Sequence, residues 1–306
     1  LIPLVFGAFD AIAIPARHAI APLVVTREFL PNLVAAAAVT RVLATIVGPV
    51  AAGFLYTVGP DLAYFAVAVL FAASIPPMLR TGYAVTPTRL TNRPSLKLAL
   101  EGLRFIRRSP IVLSAISLDM FAVLFGGAIA LIPVIAEEQL DVGDIAYGWL
   151  RAAPGIGAGL MGLVLARRPV TRRVGPTLLA VVATFGAFHI TLAMTTNYVV
   201  AFVSLVIAAG ADMVSMTIRS TLVPLATPNS QLGRVTAVES VSIGASNELG
   251  AFESGVAARA IGVPWAIAGG GIATMAIAAG FAAFVPALRN IDTYNDVGPV
   301  QAPPRT

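Results

Sequence analysis

The sequence predicts an all-α, polytopic membrane protein, and three observations carry that prediction. Of 306 residues, 58% are hydrophobic and 11% charged, with a mean hydropathy of +0.87, which is more apolar surface than a soluble domain can hide. The apolar residues fall into about nine runs, each near the roughly 20 residues that a helix needs to cross a bilayer. The charges collect between the runs and alternate in kind from loop to loop, as the positive-inside rule requires of a multi-pass chain.

Several function classes have nothing to stand on. There is no cysteine, so thiolate nucleophiles, disulfides and thiolate metal sites are excluded. His18 and His189 lie far apart in sequence, and no Walker lysine, nucleophile elbow or aspartate-rich motif is present, so neither an enzyme nor a metal or other cofactor is expected. The net charge of +5 fits membrane topology better than nucleic acid, because the cations sit in loops between apolar spans. The chain opens at Leu1 inside an apolar run, without a charged leader region, and reads as N-terminally truncated.

In order, the first predicted helix runs from Leu1 to about Val25 and holds Asp10 and Arg17; the second covers about Pro31 to Val58 and the third Pro60 to Leu79. A basic segment follows, with Arg80, Arg89, Arg93, Lys97, Arg104, Arg107 and Arg108 against the single acid Glu101, and is assigned to the cytoplasm. Leu96, Leu100, Leu103 and Ile106 recur there at helical spacing. That pattern suits a helix on the membrane surface or one packed beneath the bundle. The fourth helix, about Pro110 to Ala136 with Asp119, ends in the acidic loop of Glu137, Glu138, Asp141 and Asp144. The fifth, about Ala146 to Ala166, returns to Arg167, Arg168, Arg172 and Arg173. The sixth spans about Pro176 to Thr195, the seventh Tyr198 to Ala226, the eighth Gln231 to Gly262 and the ninth Pro264 to Val285. A polar tail then lies in the cytoplasm. The domain reading is residues 1–79, a linker 80–109, a helical half 110–286 and a tail 287–306.

The eighth helix carries three acids through an apolar span. At about 100° per residue, Glu239, Ser242, Ser246, Gly250 and Glu253 share one stripe, with Asn247 and Glu248 beside it. Ionisable groups at this depth need protein, water or a partner charge, so the stripe is a cavity or packing face. A repeat fixes the frame. Shifting the chain by about two hundred residues brings Asp10 onto Asp212, Arg17 onto Arg219, Gly48 onto Gly250 and Gly53 onto Gly255. Two consecutive helices thus repeat in parallel, six helices apart, as in a transporter of two six-helix halves, with three helices expected before Leu1.

The runs GPVAAGFL, LDMFAVLFGGAIALIPVIA, YGWLRAAPGIGAGLMG and GRVTAVESVSIGASNELGAFESG resemble the major facilitator superfamily, in its bacterial enterobactin-exporter and macrolide-efflux branch. The resemblance implies a proton-driven exporter of the cytoplasmic membrane, and helices 4 to 12 of a twelve-helix fold. Gly48, Pro49 and Gly53 match the superfamily's antiporter motif in its fifth helix, with Ala52 where a second glycine is usual. The counterpart of the superfamily's loop motif, Arg167 to Gly175, is degenerate.

Gly157, Gly159 and Gly162 satisfy G-x-G-x-x-G but follow no strand, so close helix packing explains them, as it explains Gly269 to Gly271. Gly48 and Pro49 suit a gate hinge or plain packing. His189 reads as a packed residue, and Tyr147, Trp149 and Trp265 as interfacial anchors. From depth, Arg219 is expected between Asp119 and Glu239 as a conformational latch, whereas Asp212 and Glu248, deeper and without a cation, suit a proton carrier. The expected partners are a small amphipathic molecule, protons and the bilayer, with the protein a monomer. An importer of a small solute, or a scaffold or inactive truncation, are the alternatives.

Overall fold

A computed structural model describes residues 30–80 and 96–298. Asp10 and Arg17, and with them the first predicted helix, lie outside the described residues. The chain divides into two compact units, Leu1–Arg93 and Pro94–Thr306, and each is described by itself.

In the first unit, α1 (Leu30–Val58) packs against α2 (Pro60–Arg80). Pro49 lies inside α1, which continues through it. Gly48 has open space where a side chain would be, while Gly53 is buried.

The second unit holds α3 (Leu96–Arg108), α4 (Pro110–Phe125), α5 (Asp144–Arg167), α6 (Val174–Met194), α7 (Tyr198–Ala226), α8 (Asn229–Ile261), α9 (Val263–Phe284) and a short turn, α10 (Pro286–Arg289). Proline in the first turn starts α4 and α9, where its missing N–H costs nothing. The Asn197 side chain caps α7 by accepting from Val199 N at 2.9 Å and Val200 N at 3.2 Å. Gly262, at φ +86°, makes the turn between α8 and α9.

Seven helices of the described residues are long and apolar enough to cross a membrane. At 33 residues α8 is long enough too, but its serines, Asn247, Glu239 and Glu248 make it too polar to be counted that way. The fourth predicted helix differs from expectation, because α4 stops at Phe125. A 3-10 turn (Gly127–Leu131), a helical turn (Ile132–Val134) and a π-turn (Ile135–Gln139) carry the chain on. Gly126 and Gly127 stand where Phe185 and the backbone of Gly250 leave no room for a Cβ, and Pro133 removes a donor from the next turn.

The core is in two layers. At the arginine-rich end, Val112, Leu118, Leu178, Ile218 and Leu222 cluster with Ile106 of α3 and with Leu288, Ile291 and Val297. At the acidic end, Ile132, Ile135, Leu150, Leu192, Leu205 and Ile267 form a second cluster. Between them the helices cross on glycine. A Cβ at Gly250 would lie 2.8 Å from the Val123 carbonyl oxygen, and one at Gly186 would lie 2.6 Å from that of Gly271. Gly157 sits against the Val206 carbonyl and Gly270 against that of Phe125. Close packing is therefore what Gly157 and Gly270 do, as small residues do between membrane helices. Gly269 meets nothing within 4 Å.

The segment read as a polar tail is packed through Val297. Val174 and Gly175 donate backbone hydrogen bonds to Asp292 and Ile291, and the Arg173 N–H donates to the Asp292 carboxylate at 3.1 Å. Helix α3 packs on α8 and α4. Its Glu101 meets Arg234 at 2.8 Å, and its Leu100 and Leu103 stay exposed.

Candidate functional site

The helices α4, α6 and α7 meet around a small group of polar side chains. Arg219, one turn after Ser215 on α7, places its guanidinium 2.6 Å from the Asp119 carboxylate on α4, and both side chains are less than a tenth exposed. Its Nε donates to the Ser215 hydroxyl at 3.3 Å. Two charges removed from water must satisfy each other, and this pair does so with a short charge-assisted contact. Beside it lies a recess of about 10 Å³ of water-accessible space, lined by Asp119, Val182, Phe185, Asp212 and Ser215. It is large enough for one water.

Asp212 stands on the wall of that recess, one turn before Ser215, and is exposed. Among the described residues it has no ion pair within 4.0 Å, but it feels the charges of both Arg219 and Asp119. The arrangement is a compensated pair next to an uncompensated acid. A proton gained or lost at Asp212 would change the pull on Arg219.

The remaining predicted residues divide. Glu239 is not a second partner of Arg219: it lies within electrostatic influence of Arg219 and Asp119 but makes no ion pair among the described residues. The reason is lateral, since α8 packs chiefly on α3, α4 and α9, whereas α4 packs directly on α7. Ser246 and Gly250 are buried, and Ser242 and Glu239 half-buried, as a packing face. Glu253 leaves that face and Ser254 replaces it. A neighbour crossing at an angle follows the i, i+4 row rather than a line parallel to the axis. Asn247 and Glu248 are exposed and do not reach the recess, so Glu248 does not join Asp212 there. His189 is a packed residue. Its Nδ1 donates to the Phe185 carbonyl at 2.8 Å, and its ring lies 4.2 Å from that of Phe185.

Two contributors escape the sequence reading. Ser215 holds Arg219 from four residues away, a spacing that was available to notice. Arg151 is a cation inside α5 whose guanidinium donates to the Ile129 carbonyl at 3.0 Å.

The family model described as transmembrane secretion effector matches residues 1–304. This chain belongs to that family, a branch of the major facilitator superfamily. Proteins similar to it include the enterobactin exporter EntS of Escherichia coli O1:K1 / APEC, 29% identical over 238 residues. That of Escherichia coli O6:K15:H31 (strain 536 / UPEC) is 28% identical and that of Shigella boydii serotype 4 (strain Sb227) 27%, each over 238 residues. In all three the match covers 75% of this chain and 55% of the relative. The chain thus spans little more than half the length of these curated relatives.

Proposed function

We propose that the protein is an exporter of the cytoplasmic membrane, moving an amphipathic organic molecule of the siderophore or drug kind outward in exchange for protons. The observation that carries this reading is Asp212, an acid without an ion pair on the wall of a recess that the buried pair of Asp119 and Arg219 also lines. Ionisable groups inside a membrane are costly, and their positions mark ion paths by default. With Asp212 ionised, Arg219 is drawn between two carboxylates; with Asp212 protonated, it belongs to Asp119 alone. Two positions of one arginine on α7 give the bundle two states, and alternating access converts those states into transport. The names of the relatives supply the substrate class. Residues 110–286 serve as one six-helix half, with their arginine-rich end in the cytoplasm.

The test uses everted membrane vesicles carrying the protein and an imposed inward-acid gradient. Addition of a catecholate siderophore should dissipate the gradient in wild type. Asp212→Asn should abolish that response while leaving gradient-independent exchange of labelled siderophore. Wild-type vesicles whose gradient is indifferent to every amphipath tried would overturn proton-coupled export.

A further inference from the structure

Among the described residues of the second unit, two arginines lie deep within helices, and only one has a carboxylate. Arg219 is satisfied by Asp119 and Ser215. Arg151 lies seven residues into α5 from the acidic-loop end, about 10 Å at 1.5 Å per residue. It has no acid within 4.0 Å among the described residues, and one of its five N–H donors goes to the Ile129 carbonyl. A cation at that depth with donors unspent is expensive unless water or an anion meets it.

Helix α5 sets Arg151 apart from its exposed apolar residues. Around α5, Leu150, Ala153 and Gly157 form the packed face. Trp149, Leu160 and Leu163 form an exposed apolar stripe, at 40%, 57% and 58% exposure, suited to acyl chains. At about 100° per residue, Arg151 falls on a third stripe with Gly155, Ala158 and Gly162, well over a right angle from the apolar one. Small side chains beneath an exposed guanidinium leave room for a ligand, and the contact with Ile129 at the break after α4 holds the fork in place.

We propose that Arg151 is an anion-recognition group of the translocation route, binding a carboxylate, catecholate or sulfonate borne by an amphipathic molecule. This rests on the export reading for its role in transport, but the binding itself is measurable without transport. The planar fork suits oxyanions and gives direction as well as charge.

The chain has two tryptophans, Trp149 and Trp265, so energy transfer from tryptophan to dye reports dye bound to the protein, and the comparison of Arg151 variants with wild type assigns it to Arg151. Two probes on one scaffold separate charge from hydrophobicity: 8-anilinonaphthalene-1-sulfonate and the uncharged N-phenyl-1-naphthylamine. In nanodiscs of the whole protein, Arg151→Gln should weaken the sulfonate dye about tenfold, and Arg151→Lys should recover part of that. The uncharged dye should change less than twofold. An unchanged sulfonate affinity in Arg151→Gln overturns the proposal. So does equal weakening of both dyes, which marks a structural role. The wild-type to variant ratio should persist in phosphatidylcholine and in phosphatidylglycerol; its loss in phosphatidylglycerol assigns the site to lipid headgroups and overturns a solute site. If the binding difference holds but the vesicle gradient is indifferent to every amphipath tried, the export reading fails and the anion site stands.

Discussion

Asp119 and Arg219 hold each other where neither is stable alone. Each is buried, and removing one leaves the other charged in a medium that cannot solvate it. Asp119→Asn should therefore lower unfolding stability in detergent by about 3–5 kcal/mol, and adding Arg219→Gln should restore most of it, because the double variant buries no orphan charge. A thermal unfolding series of the two variants checks this, and a single variant as stable as wild type would mean the pair is not formed. Asp212→Asn should stay within about 0.5 kcal/mol of wild type in the same series, since it breaks no ion pair. The pair was legible in the sequence because depth can be counted along a helix. Asp119 and Arg219 each lie about seven to nine residues from the arginine-rich end. Lateral position cannot be counted in that way. Glu239 is near the same depth, yet it sits on α8, across α4 from Arg219. Arg151 was legible as a charge inside an apolar run but had no repeat partner to draw attention to it.

Among the elements, helix ends and order follow from proline, glycine and apolar length, so eight helices of the described residues lie close to where the sequence put them. The break after Phe125 does not. The run from Gly126 to Ala136 is apolar all round and carries no periodic signal, and paired glycines are common in unbroken membrane helices. The break coincides with a close approach of neighbouring helices that only glycine allows. A Cβ at Gly126 would lie 2.5 Å from Phe185, and the Gly127 position is closed by Ser254 and Gly250. The same crossing makes Gly250 sensitive. Gly250→Val should cost about 1–3 kcal/mol through overpacking against the Val123 and Leu124 carbonyls. Gly244→Ala, six residues away on the same helix with nothing within 4 Å of its Cβ, should be neutral or stabilise by up to about 1 kcal/mol. Unfolding midpoints of the two variants, measured side by side, test the contrast; equal midpoints would remove the glycine crossing as the determinant of how α8 meets α4.

At the scale of the whole molecule, charge and packing place the same segments at one end of the second unit. The buried cluster that contains Ile106 of α3 also contains Val112, Val174, Ala226 and Val235 at the ends of α4, α6, α7 and α8, together with Leu288, Ile291 and Val297 beyond α9. These are the ends next to Arg104, Arg107, Arg108, Arg167, Arg168, Arg172 and Arg173, whereas the opposite end carries Glu137, Glu138, Asp141 and Asp144. The sequence anticipates this arrangement because loop charge responds to insertion, not to packing. It did not anticipate that residues 286–297 close the arginine-rich end, since their polar composition hides three buried apolar side chains. If the positive-inside rule sets the orientation, that end is cytoplasmic. The absence of native cysteine makes single-cysteine labelling clean. In intact spheroplasts a membrane-impermeant thiol reagent should modify Glu138→Cys, and it should reach Arg172→Cys, exposed at 83% of its side chain, only after permeabilisation. Labelling of Arg172→Cys in sealed spheroplasts would invert the orientation and, with it, the export direction.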